Sequence, residues 1–120
     1  MSILNDISAL VIASRNSGIQ TCQDIVDGVW SPKNPDDIEA DVVSLIASMD
    51  TTDRKKLLNA VRYFTDLSMF KLLETLELGE GDVSFELNAK NSNENVNLIQ
   101  DEDDLEIRSK YFGWVDSMGK

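Results

Sequence analysis

Residues 52–78 read TDRKKLLNAVRYFTDLSMFKLLETLEL, and this stretch decides the fold. Leu57, Leu58, Val61, Phe64, Leu67, Phe70, Leu73 and Leu76 recur at three- and four-residue steps, the helical period. Ala60, Tyr63, Met69 and Leu72 widen the stripe, which suits a helix contacted from more than one side. The spacing predicts the longest helix of the chain here, with Phe64 and Leu67 in its core. Asp50, Thr51 and Thr52 offer caps at its start, and Gly79 offers a left-handed stop at its end.

Upstream the same period recurs three times. Ile3, Ile7, Leu10, Val11 and Ser14 predict a first helix, and Asn16-Ser17-Gly18 reads as its end. Ile19, Cys22, Ile25, Val26 and Val29 predict a second, closed at Trp30-Ser31-Pro32. A third opens with Asn34 as cap, Pro35 in the first helical position, and Asp36 and Asp37 against the positive end of the dipole. Its buried face is expected at Ile38, Val42, Leu45, Ile46 and Met49.

Downstream the period changes to two. Val83, Phe85, Leu87 and Ala89 alternate with Ser84, Glu86 and Asn88, which predicts a strand. The polar stretch 90–95 makes the turn, and Val96 to Gln100 the return strand. From Asp103 or Asp104 the pattern is helical again, with Ile107, Tyr111, Trp114 and Met118 on one stripe and Leu105, Phe112 and Val115 on its neighbour. The fold class expected is mainly α: a compact bundle of about five helices with a β-hairpin before the C-terminal helix, α+β in the strict sense. At 120 residues the expectation is a single domain, 1–120.

Charge bounds the function. The chain holds 22 Asp and Glu against 11 Lys and Arg, a formal net of -11, with no histidine and one cysteine. Residues 76–106 carry ten acids and one base, ending in the run Asp101-Glu102-Asp103-Asp104-Leu105-Glu106. A field of that sign repels nucleic acid and anionic membrane and draws basic surfaces. The one basic cluster, Arg54-Lys55-Lys56, is too short to reverse it. No stretch approaches the roughly 20 apolar residues of a spanning helix. The start carries Asp6 and no base before Arg15, unlike a secretory signal. A lone Cys22 makes no internal disulfide. The expected location is the cytoplasm.

Catalytic and metal templates find no match. Without histidine there is no Ser/His or Cys/His pair, and no Cys/His zinc set. Gly79-Glu80-Gly81-Asp82 places acids where a phosphate would sit. Asp101, Asp103 and Asp104 supply oxygens, but no glycine follows at the spacing of a calcium loop. Carboxylates are abundant, yet no pair is singled out for acid–base work. Cys22 falls on an apolar stripe and reads as a buried small hydrophobe. The expectations are no enzyme, no cofactor and no metal.

A binding role remains. Its expected contact residues are Glu80, Asp82, Glu86, Asp101, Glu102, Asp103, Asp104 and Glu106, steering a basic protein partner, with Tyr111 and Trp114 as aromatic anchors. The competing readings are a solvated helix start for the acidic run, its pairing with Arg54, Lys55 and Lys56 inside the fold, and core burial for the aromatics. In size, charge and lack of catalytic residue types the chain resembles the small acidic immunity proteins with which bacteria neutralise basic toxins, often nucleases. The resemblance implies an inhibitor of a basic protein and assigns no individual residue. The other class of function is a structural or adaptor subunit that assembles through an exposed apolar helix face.

Overall fold

The computed structural model describes residues 3–97 and 107–119. They form helices α1 (Ile3–Val26), α2 (Asp37–Ala47), α3 (Thr51–Leu78) and α4 (Ile107–Met118), with strands β1 (Asn88–Lys90) and β2 (Asn95–Asn97) between α3 and α4. The described residues are mainly helical with one small antiparallel hairpin. The chain divides into two units, one of Met1–Asn16 with Leu67–Lys120, the other of Ser17–Asp66.

Four helices stand among the described residues where five were expected, because Asn16-Ser17-Gly18 does not break α1. Ser8, Ile12, Arg15 and Ile19 are all buried and recur at steps of four, three and four. One helical face thus keeps its register across the expected break. Gly18 costs that helix roughly 1 kcal/mol relative to alanine, a penalty burial on either side offsets. The helix ends at Val26, before the expected Trp30-Ser31-Pro32 stop. Gly28 is left-handed at φ 71°, and the amides of Asp27 and Gly28 donate to the carbonyls of Gln23 and Ile25.

The cap of α2 is Asp36, not Asn34. The Asp36 carboxylate accepts from the Glu39 amide at 2.7 Å, and the Asp36 amide donates to Glu39 Oε1 at 3.2 Å, a capping box. Asn34 instead takes a left-handed φ of 50° in the preceding loop. The expected buried face of α2 is corrected too: Ile46 is buried, whereas Ile38, Val42 and Leu45 are exposed.

The reading of α3 holds at both ends. Asp50 accepts from the Asp53 amide at 2.8 Å, and left-handed Gly79 (φ 64°) donates to the Thr75 carbonyl. A side chain at Gly79 would collide with the Val83 carbonyl, so the turn out of α3 needs glycine for space as well as for φ. The buried positions of α3 are Leu58 and Leu73. Phe64, 60% exposed, and Leu67 are not core residues, and the wide stripe is only partly covered.

In the unit of Met1–Asn16 and Leu67–Lys120 the core is Ile12, Leu73 and Tyr111, packed around by Val11, Met69, Phe70, Val96 and Trp114. Phe112 borders it, its ring 5.5 Å from Phe70 and 5.3 Å from Tyr111. The hairpin is shorter than expected. Register pairs Asn88 with Asn97, Ala89 with Val96 and Lys90 with Asn95, while residues 84–87 lie outside any strand. The Asn91 side chain closes the turn by accepting from the Asn93 and Glu94 amides. Residues 98–100 of the expected return strand, and 103–106 of the expected helix start, lie outside the described residues.

In the unit of Ser17–Asp66, buried Ile19, Ile46 and Leu58 come from α1, α2 and α3. Arg54 ties two of these elements, its Nε donating to the Ile46 carbonyl at 3.2 Å. Among the described residues, no helix is long and apolar enough to cross a membrane.

Candidate docking surface

The acids of 76–97 divide into two kinds. Glu77 and Glu94 serve the fold. Glu77 accepts from the Arg108 amide at 2.7 Å, at the start of α4, and its other oxygen lies 3.2 Å from Arg108 Nε. With its side chain only 8% exposed, Glu77 complements the positive end of α4 and fixes the helix on α3. Glu94 does the same for α1: its Oε1 accepts from the Ile3 amide at 2.7 Å, while Asn91 Nδ2 donates to Asp6 at 3.1 Å. The hairpin turn is thereby fastened to the first turn of α1.

Glu80, Asp82 and Glu86 are the other kind. All three are exposed, and their carboxylates have no partner among the described residues. They stand on the segment that Gly79 and Gly81, both left-handed, turn away from α3. A bridge between Glu80 and Val83, with amide–carbonyl bonds of 2.9 Å in both directions, closes that turn. Beyond it Val83, Phe85 and Leu87 are also exposed and alternate with Ser84 and Glu86. No base occurs from Gly79 to Ala89. The segment therefore presents unneutralised carboxylate and apolar side chain together.

The expected aromatic anchors are placed differently. Tyr111 is 0% exposed and is the centre of its core, so its ring supports α4 from inside and presents nothing to a partner. Tyr111 is thus a core residue where a contact residue was expected. Trp114 is half-buried and packs on the same core. The exposed aromatic of α4 is Phe112, on the neighbouring stripe. Asp101, Glu102, Asp103, Asp104 and Glu106 lie outside the described residues.

Sequence reasoning did not anticipate how much apolar side chain the unit of Ser17–Asp66 leaves exposed. Val29, Trp30, Ile38, Val42, Leu45, Tyr63 and Phe64 are all exposed within it. Trp30 and Arg54 line a cleft of about 380 Å³ with Val26, Val29 and Ile46. Lys33, Arg54, Lys55, Lys56 and Arg62 form no ion pair among the described residues, in a chain with twice as many acids as bases. The signal was present, since α2 carries acids but no base and the start of α3 the reverse cluster, but an apolar stripe reads as core until its partner is seen to be missing. No group of three or more potential metal ligands occurs among the described residues. No family model, curated protein or solved structure matches the chain.

Proposed function

We propose that this chain is a non-catalytic acidic binding protein that docks on a basic protein and neutralises it, as an immunity protein does a toxin. The observation that carries the reading is the segment Glu80–Leu87, where exposed carboxylates with no partner among the described residues alternate with exposed apolar side chains. Complementary charge speeds encounter and sets register, and apolar side chains supply the buried area of contact. The acidic run 101–106 would extend the same field.

The test is a triple variant, Glu80→Gln, Asp82→Asn and Glu86→Gln. Wild-type and variant chains are immobilised, and the product of the neighbouring gene is measured against both. Support is a basic protein that associates more slowly with the variant and with a flatter dependence on salt, at similar dissociation rates. A partner bound by both chains with the same rates and salt dependence refutes the reading.

A second reading, a structural or adaptor subunit assembling through an apolar helix face, is favoured by a separate observation: Ile38, Val42 and Leu45 form an exposed stripe on α2.

A further inference from the structure

Two faces in the unit of Ser17–Asp66 are exposed among the described residues. On α2, Ile38, Val42 and Leu45 recur at steps of four and three, and Ile38 is 75% exposed. The helix also carries exposed Asp37, Glu39 and Asp41 and no base. Asp41 stands one residue before Val42, on the edge of the stripe away from buried Ile46, by the 100° step of the helix. On α3, Lys56 and Tyr63 lie seven residues apart on one stripe, and both are exposed. Phe64 is exposed beside them, its ring edge-on to Tyr63 with centroids 5.2 Å apart. Within this unit Asp53 is the exposed carboxylate of α3, in the first turn.

The two faces are complementary, since each pairs exposed apolar side chains with charges of opposite sign. An α2 face laid on another α2 face would set carboxylate against carboxylate, and an α3 face on another would set lysine against lysine. An α2 face against an α3 face keeps the apolar contact and brings Asp37, Glu39 and Asp41 toward Lys56, although Asp53 lies on the same side of α3 as Lys56. Each chain carries both faces, so a pair closed by a two-fold axis makes the contact twice. Tyr63 is the residue type that anchors such contacts. The net charge of -11 on each copy opposes association, but fields between separated surface charges fade over roughly 8 Å at physiological salt.

We infer that a second copy of this chain covers these faces, with the Ile38/Val42/Leu45 stripe of one copy on the Lys56/Tyr63/Phe64 face of the other. The inference deepens the assembly reading and is independent of the acidic segment Glu80–Leu87.

The experiment uses the full chain in sedimentation velocity at physiological salt, with circular dichroism to show that each variant keeps its helix content. The wild type is expected to form dimers. Asp41→Lys and Lys56→Glu are each expected to weaken self-association by about tenfold or more, because each sets like charges across the contact twice. Mixing the two variants in equal amounts is expected to restore association to within about threefold of wild type. In the mixed pair the two substituted side chains, of opposite charge, meet across one contact, and the unchanged Asp41 and Lys56 meet across the other. A wild type that stays monomeric at about 100 µM overturns the second copy as occupant. So does self-association that neither change weakens, or a mixture no tighter than either variant alone. The broader assembly reading is decided separately, by whether Ile38→Ser with Leu45→Ser lowers capture of any other partner. The Glu80/Asp82/Glu86 variant is expected to self-associate as wild type does, so failure of the inhibitor reading leaves this result standing.

Discussion

Cys22 is half-buried on α1, and that burial pushes its thiol pKa above the ordinary value by disfavouring the thiolate. The thiolate is the nucleophile, so alkylation in native buffer is expected to run slower than for an unfolded control and to accelerate on denaturation. Labelling as fast as the control would show that the α1 side chain is not shielded. The sign for stability follows. The folded state holds the proton more tightly than the unfolded chain. Cys22 therefore favours folding relative to its own ionised form below the ordinary thiol pKa, and that advantage is lost as pH rises through the raised value. Stability should fall with pH above the ordinary thiol range, and Cys22→Ser should remove that part of the fall in denaturant melts across alkaline pH. At this scale the residue types were readable but their surroundings were not. Cys22 was expected to be buried and is half-buried, and Tyr111 looked like a contact residue and is a core residue, because a stripe on an isolated helix does not say which side meets the rest of the chain.

Helix α3 was legible nearly to the residue, from its caps at Asp50 and Gly79 and its unbroken period. Helix α1 was not, because its buried face runs through Ser8 and Arg15, polar residues that a hydrophobic pattern skips. The hairpin was legible as an element but not in extent: alternation from Val83 predicted strand, yet the ladder begins at Asn88. Alternation reports that two faces differ, and an exposed extended segment can carry it as well as a strand. The continuity of α1 has a direct test at Gly18. This residue lies inside the helix, is exposed, and an added Cβ there meets nothing within 4 Å. Gly18→Ala is therefore expected to stabilise the protein by about 0.5–1 kcal/mol, through lower backbone entropy of the unfolded chain and better helix propensity. If residues 16–18 instead formed a turn with left-handed Gly18, the same change would destabilise by more than that amount, and a lower denaturant midpoint would decide against the continuous helix.

At the scale of the whole molecule the chain divides into two units where its length suggested one domain. Domain boundaries ordinarily fall in exposed linkers where little is lost by separation. Here both boundaries fall inside helices, between Asn16 and Ser17 in α1 and between Asp66 and Leu67 in α3. Unfolding one unit alone would have to break the hydrogen-bond ladders of both helices in mid-run and leave their ends uncapped, which is costly because a helix end strands four backbone groups. We therefore propose a single cooperative domain, and the sequence supplies the reporters, since Trp30 belongs to one unit and Trp114 to the other. Trp114→Phe leaves Trp30 to follow the unit of Ser17–Asp66, and Trp30→Phe leaves Trp114 to follow the unit of Met1–Asn16 and Leu67–Lys120. Each variant is unfolded in urea while its fluorescence and its far-ultraviolet circular dichroism are recorded together. In each, the two signals should share one midpoint and one slope, the mark of two-state unfolding. A Trp30 signal that melts at lower urea than the helix signal of the same variant would show that the unit carrying the exposed α2 and α3 faces opens by itself. Because fluorescence and helix content are compared within one variant, any loss of stability caused by the tryptophan change itself cancels from the comparison.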